Sequence, residues 1–197
     1  VKKISSLPIC VSAVEPKLFV DSVQAGAVLL EIGNFDSFYE KDITFTPEQI
    51  ISLTKETKDL LPDTPLSVTV PHTISLDQQV ELAIKLVHEG ADFIQTEGGK
   101  SSIPLSPGIQ GRFEKAVPTL AATFSISKEF AKNNINTPII CASGLSEITC
   151  PLAISSGAPA VGVGSVVNKL DNLIAMIASV RAIKESLNNS LIRQKIS

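Results

Sequence analysis

Several features that mark other protein classes are missing from this sequence of 197 residues. Its three cysteines include no CxxC pair, so neither a disulfide framework nor a zinc site is expected. Lysine and arginine are scattered and the formal net charge is -3, which argues against a nucleic-acid partner. No apolar run nears the roughly 20 residues that span a bilayer, so no membrane partner is expected either.

The length suits one sizeable core and is short of two ordinary domains. No signal or transit peptide is visible, but the chain starts with Val1, in what reads as the end of a helix. We therefore expect residues 1–197 to form a single domain that lacks its amino-terminal segment. The sequence does not indicate an oligomeric state.

Six short runs rich in valine and isoleucine read as strands that are covered on both faces. They are residues 8–14, 28–33, 66–70, 93–97, 138–142 and 160–164. Helical patterns separate them, and two of these begin with a capping box, at Thr46 and at Ser75. A further helix is predicted over about 169–187.

A glycine-alanine pair joins helix to strand at three places, which are Gly26-Ala27, Gly90-Ala91 and Gly157-Ala158. Strand, helix, Gly-Ala and strand in repetition indicate parallel βα units. We predict a phosphate-binding (β/α)8 TIM barrel with about six of its eight units in this chain. A doubly wound open sheet is the rival, and it is disfavoured because the first βα turn, residues 13–17, has no glycine.

Successive side chains of a strand point to opposite faces of the sheet. In the predicted strands, most polar residues therefore share one face and most apolar residues share the other. The polar set is expected to point into the barrel; it consists of Glu31, Ser67, Thr69, Gln95 and Glu97. A buried carboxylate is costly unless it is paired, so Glu31 and Glu97 are candidate catalytic residues. The alternative is that both are hydrogen-bonded interior residues without a chemical role.

Glu97 is the stronger candidate because it ends its strand and precedes a flexible loop, residues 98–102, that could close over a ligand. Lys100 in this loop could add charge, although a lone loop lysine is more often solvated. His72 ends another strand and is a candidate proton carrier, or else a structural histidine. Asn34 and Asp36 could orient a ligand or cap a loop. Four of these residues could converge, namely Glu31, Asp36, His72 and Glu97, but no ligand spacing indicates a metal, and no cofactor is predicted.

The last two predicted strands carry the clearest functional signal. Ser143 and Gly144 follow one of them, and Gly164 and Ser165 end the other. Counted back from the carboxyl terminus, these are strands seven and eight, whose loops bind phosphate in many barrels. Glycine permits the close approach of backbone N–H groups to phosphate oxygens. The alternative is that these glycines only make room in tight turns.

Several long runs resemble the hypothetical chloroplast open reading frame twenty-three family. They are ICVSAVEP (9–16), EIGNFDSFY (31–39), SVTVPHT (67–73), QTEGG (95–99), CASGLS (141–146) and VGVGSVVN (161–168). The resemblance implies a TIM barrel similar to thiazole synthase, two absent amino-terminal βα units, and a location in the plastid stroma, or in the cytoplasm for a cyanobacterial source. It implies no reaction, because the family is uncharacterised.

Two classes of function follow from these observations. One is an isomerase, an aldolase-like enzyme or a synthase that acts on a small phosphorylated metabolite, in which Glu97 or Glu31 moves protons and His72 assists. Since no strand-end lysine is obvious, a Schiff-base mechanism is disfavoured. The other is a ligand-binding or regulatory protein on the same scaffold. A barrel that binds a flavin phosphate is a third possibility.

Overall fold

The computed structural model describes residues 2–98 and 102–189. The predicted loop residues Gly99, Lys100 and Ser101 lie outside the described residues. The strands are β1 (Cys10–Ala13), β2 (Leu29–Ile32), β3 (Leu66–Val70), β4 (Phe93–Thr96), β5 (Ile139–Ala142) and β6 (Ala160–Gly162). The helices are α1 (Pro16–Gln24), α2 (Asp36–Tyr39), α3 (Pro47–Leu60), α4 (Leu76–His88), α5 (Gly108–Lys132), α6 (Cys150–Ser155), α7 (Ser165–Asn168) and α8 (Leu173–Asn188).

The six strands form one parallel sheet in the order β1-β2-β3-β4-β5-β6, with helices between successive strands. The sheet curls into part of a barrel, which confirms the predicted fold class with six of eight βα units. Because all strands are parallel, their carboxyl ends meet at one end of the barrel. Side chains that follow different strands are thereby brought together.

The main core lies between the outer face of the sheet and the helices. Strand residues that are neighbours in the ladder, such as Leu30 with Leu66 and Val68 with Ile94, are fully buried there. They pack in one cluster with helix residues that include Phe19 of α1 and Leu82 of α4. The alternate strand residues face the barrel interior, which is the side where the polar set was predicted.

The three glycine-alanine joins have the conformation that their sequence predicts. Gly26, Gly90 and Gly157 have φ angles of +103°, +97° and +105° and each comes two residues after the last residue of α1, α4 or α6. Residues with a side chain rarely adopt this left-handed region, whereas glycine enters it at little cost. The joins therefore end each helix and return the chain to the next strand.

Both predicted capping boxes are present. At α4 the Ser75 hydroxyl accepts a hydrogen bond from the Gln78 backbone N–H, and the Gln78 side chain accepts one from the Ser75 backbone N–H. Thr46 and Gln49 make the same pair of contacts at α3. Within the described residues, no helix combines the length and the apolar character needed to cross a membrane.

We expect Ser75→Ala to lower the free energy of unfolding by about 1 kcal/mol, because it leaves an amide at the start of α4 without its partner. Urea denaturation followed by circular dichroism measures this change. Ser52, which is exposed within α3, provides the matched control. Ser52→Ala should be neutral or slightly stabilising, since alanine is the better helix former. Equal losses from both substitutions would refute the capping role.

Candidate functional site

A cavity of about 560 Å³ opens at the carboxyl ends of the strands. Both predicted glutamates, Glu31 and Glu97, line it. The four predicted phosphate-binding residues line it as well; they are Ser143, Gly144, Gly164 and Ser165. The structure thus brings the two predicted groups of site residues into one cavity. The first group is the acidic residues on β2 and directly after β4, and the second is the serines and glycines after β5 and β6.

Glu31 projects from β2 into the cavity and is held by two polar neighbours. The Thr69 hydroxyl donates to Glu31 Oε1 over 3.3 Å, and the Gln95 amide donates to the same oxygen. Gly33 lies against this pair, since a Cβ at that position would collide with Thr69 Oγ1 and Glu31 Oε1. The polar residues predicted to face inward thus fix the orientation of the Glu31 carboxylate.

Glu97 is buried at the end of β4, where its Oε1 has three polar contacts. The Tyr39 hydroxyl donates to it over 2.7 Å and the His72 backbone N–H over 3.2 Å. His72 Nδ1 lies 3.0 Å from the same atom. His72 therefore stands behind Glu97, while Glu97 itself faces the cavity.

The contact with Glu97 changes the acid-base behaviour of its neighbours. The hydrogen bond to Glu97 raises the pKa of His72 above its usual value, against the opposing effect of burial, and the negative charges of Glu97 and Asp36 raise it further. Burial, followed by the charge of Glu97, raises the pKa of Tyr39 far above its usual value. Tyr39 is therefore a protonated hydrogen-bond donor at any physiological pH.

A second part of the cavity lining comes from the residues that follow β5 and β6. Ser143 and Gly144, which follow β5, have φ angles of +74° and +72°. A Cβ added at Gly164 would find no atom within 4 Å, so this position is open. Two lysines also line the cavity, Lys115 from α5 and Lys169, which directly follows α7. Sequence reasoning missed both, because neither stands at a strand end.

Other residues of the predicted set have mixed outcomes. Asn34 and Asp36, which could have been confined to capping a loop, both line the cavity. Ser67 is buried, and its hydroxyl has no hydrogen-bond partner among the described residues. Asp36 also belongs to a group with His72 and Glu97 whose potential metal-ligand atoms all lie within 4.8 Å of one another. No spacing in the sequence indicated this group, because its members follow three different strands.

The cysteines do not offer a reactive thiolate. Cys141 and Cys150 are buried in a second hydrophobic cluster, which also contains Ala153 of α6 and Ile183 of α8. Cys10 is exposed as a residue, yet partial desolvation of its thiol, followed by the negative charge of Glu31, raises its pKa to about 11. Burial likewise raises the pKa of Cys141 and of Cys150, the latter to about 11. Raised values keep all three thiols protonated near neutral pH.

The family model described as "Protein of unknown function (DUF561)" matches residues 1–193. The chain belongs to this family. It is 44% identical over 191 residues to "Uncharacterized protein ycf23" of Cyanophora paradoxa, covering 97% of this chain and 76% of the relative. It is 38% identical over 207 residues to the protein of the same name from Porphyra purpurea, covering 100% and 76%. The resemblance stated from the sequence is thereby confirmed.

Solved structures with the same architecture include barrel enzymes of low sequence identity. A 2,3-dimethylmalate lyase of the PEP mutase/isocitrate lyase superfamily has a TM-score of 0.68 at 9% identity, covering 95% of this chain and 66% of that one. A putative phosphonomutase from Burkholderia cenocepacia J2315 has a TM-score of 0.61 at 14% identity, covering 89% and 74%. At such identities the likeness supports the barrel fold and assigns no reaction.

Proposed function

We propose that this barrel binds a small phosphorylated metabolite and moves a proton on it, as an isomerase, an aldolase-like enzyme or a synthase would. The observation that carries the proposal is the meeting of acidic and basic groups in one cavity. The carboxylates of Glu31 and Glu97 line it together with two lysines and with the glycine-rich ends of β5 and β6. A ligand with a phosphate at one end and a reacting carbon at the other could use both kinds of group.

The phosphate is proposed to lie at the ends of β5 and β6. Gly164 has open space in which phosphate oxygens could reach backbone N–H groups, Gly144 has no side chain to block such an approach, and the hydroxyls of Ser143 and Ser165 are further donors. The cavity-lining lysines, Lys115 and Lys169, supply positive charge that a phosphate attracts. This set supports binding through charge together with close backbone approach.

Proton transfer is proposed for Glu31, and the orientation of the reacting end for Glu97 and His72. The sequence favours Glu97 as the proton carrier on its position alone. Its Oε1 is already engaged by Tyr39 and His72, however, so Glu97 is better suited to a fixed polar role. Glu31 is less buried than Glu97, and the hydrogen bonds it accepts hold it towards the cavity.

The cellular location is part of the same proposal. The curated relatives bear a name that stands for a hypothetical chloroplast open reading frame. We propose the chloroplast stroma for a plastid member of the family, and the cytoplasm for a cyanobacterial one.

The test is a thermal-shift screen of phosphorylated metabolites, with inorganic phosphate included. A ligand that binds only the folded protein raises the melting temperature. At a concentration of 100 times its Kd, it adds about 2.7 kcal/mol to the free energy of unfolding. We expect the shift to disappear in Gly164→Asp, because the new carboxylate would repel a phosphate. Since the position has open space around it, the variant should fold with the melting temperature of the unliganded wild type.

Gly164→Asn is the matched control, because it has the size of aspartate without its charge. It should retain more of the shift than Gly164→Asp does. Equal shifts in the wild type and in Gly164→Asp would contradict a phosphate site at β6. Binding without turnover of any ligand would leave the non-catalytic alternative, and yellow absorbance of the purified protein would favour a flavin.

A further inference from the structure

Three side chains from neighbouring strand ends meet at the acidic side of the cavity. Asp36 begins α2 after β2, His72 follows β3, and Glu97 follows β4. One potential ligand atom from each lies within 4.8 Å of those from the other two. Because β2, β3 and β4 are adjacent in the sheet, the barrel itself holds the group together. Such a group, on segments that follow adjacent strands, is placed to bind an ion with little rearrangement.

We propose that Asp36, His72 and Glu97 bind one divalent transition-metal ion. This inference concerns the acidic side of the cavity, and ion binding as such does not depend on the phosphate site proposed above. Imidazole and carboxylate ligands without a thiolate are typical of Zn²⁺ and Mn²⁺ sites. The cysteine nearest in sequence to any of the three ligands, Cys10, lies on β1 and is not part of the group.

The observed spacing fits a shared ion. His72 Nδ1 and Glu97 Oε1 are 3.0 Å apart. Two ligand atoms that each lie about 2.0–2.2 Å from a metal, at angles between octahedral and tetrahedral, are roughly 3 Å apart from each other. The separation that now accommodates a hydrogen bond would thus accommodate two metal–ligand bonds without moving either side chain far.

The surroundings of Glu97 also match a ligand carboxylate. The Tyr39 hydroxyl donates to Glu97 Oε1 over 2.7 Å, and its ring meets the His72 ring edge to face at 5.5 Å. Ligand carboxylates in metal sites are characteristically oriented by such hydrogen bonds from a second layer of residues. Three protein ligands would leave coordination positions open towards the cavity, which Asp36 and Glu97 both line.

A bound ion would also complete the proposed chemistry, and this role rests on the function proposed above. When Glu31 takes a proton from a carbon beside a carbonyl group, the electron pair of the broken C–H bond moves onto the carbonyl oxygen. The ion would stabilise that oxygen as a Lewis acid, and the proton would remain on Glu31 until it is returned. No oxidant or further reactant is required.

The test is a titration of tag-free protein with Zn²⁺ alone and with Mn²⁺ alone, by calorimetry and by tyrosine fluorescence. The sequence has one tyrosine and no tryptophan, so the emission reports on Tyr39, which contacts Glu97. We expect one ion per chain and a saturable change in emission. His72→Asn and Glu97→Gln should each weaken binding at least tenfold.

Two matched controls separate this site from adventitious binding. His88 is the only other histidine, so His88→Asn should bind the ion as the wild type does. Glu31→Gln, in the same cavity but outside the group, should also retain binding. Absence of saturable binding to folded wild type, or wild-type affinity in His72→Asn, would overturn the proposal. The proposal can be refuted even if no variant folds, because the titration of the wild-type protein tests it alone.

Failure of the proposed ion site can be distinguished from failure of the proposed phosphate-binding function. Gly164→Asp should lose the stabilisation by phosphorylated ligands and keep Zn²⁺ binding. His72→Asn should lose Zn²⁺ binding and keep the stabilisation by inorganic phosphate. Loss of Zn²⁺ binding in Gly164→Asp would contradict the assignment of the ion to the acidic side.

Discussion

Glu31→Gln should slow the exchange of a carbon-bound proton of the ligand with solvent by about 10²–10⁴-fold, the usual contribution of a positioned general base. Glutamine keeps the size of the side chain and can still contact Thr69 and Gln95, but it cannot accept a proton from carbon. The measurement is the loss of the ligand C–H signal in deuterated water by nuclear magnetic resonance, with a ligand chosen from the thermal-shift screen.

Ligand binding should change little in the same variant, because the phosphate is proposed to lie at the other side of the cavity. The effect should therefore appear in kcat rather than in KM. Glu147→Gln is the matched control, since Glu147 pairs with Arg112 and is not among the described residues that line the cavity. Exchange at the wild-type rate in Glu31→Gln would remove Glu31 from the chemistry.

Ile94→Ala should cost about 2–5 kcal/mol of unfolding free energy, the usual effect of emptying a fully buried aliphatic position. Ile94 is 0% exposed and lies in the middle of the sheet, with Val68 and Ile139 as its neighbours on the flanking strands. A cavity there is enclosed by strand and helix residues of the main core, which can relax only in part. Urea denaturation gives the change.

Two substitutions calibrate this result. Ile94→Val removes a single methyl group and should cost about 0.5–1.5 kcal/mol. Ile174→Ala, at a position that is 78% exposed on α8, should change stability by no more than about 0.5 kcal/mol. A loss from Ile94→Ala no larger than that from Ile174→Ala would show that the outer face of the sheet is not the core.

Local signals in the sequence predicted the framework of the fold well. The valine-rich runs located all six strands to within a few residues, and the capping boxes marked where α3 and α4 begin. These features depend on neighbours in the sequence, since backbone conformation and cap contacts act over a few residues. Alternation along the strands likewise separated Glu31 and Gln95 from Leu30 and Ile94 correctly, because the pleat fixes which face a side chain takes.

The carboxyl-terminal helix was predicted less well. The helix predicted over about 169–187 is α8, which begins later, at Leu173, because the Asn172 side chain caps it by accepting hydrogen bonds from the Ile174 and Ala175 backbone N–H groups. Its apolar residues Leu173, Ile177 and Val180, which the sequence spacing places on one side of the helix, are exposed. Periodicity places residues on a common side of a helix, but it does not say which side faces the core.

The site could be predicted only in part, for a physical reason. Residues at strand ends, such as Glu97 and Gly164, can be anticipated because parallel strands deliver their carboxyl ends to one place. Tyr39, Lys115 and Lys169 reach the cavity or its border from helices and helix ends, so their positions depend on how the helices pack. That packing is a property of the whole fold, and no spacing in the sequence encodes it.

The most direct measurement compares one phosphorylated metabolite with its dephosphorylated counterpart in thermal-shift titrations of the wild-type protein. The proposed function predicts that only the phosphorylated form raises the melting temperature, and that inorganic phosphate competes with it. Equal stabilisation by both forms, or stabilisation by neither across the screened metabolites, would contradict a phosphate site at the ends of β5 and β6.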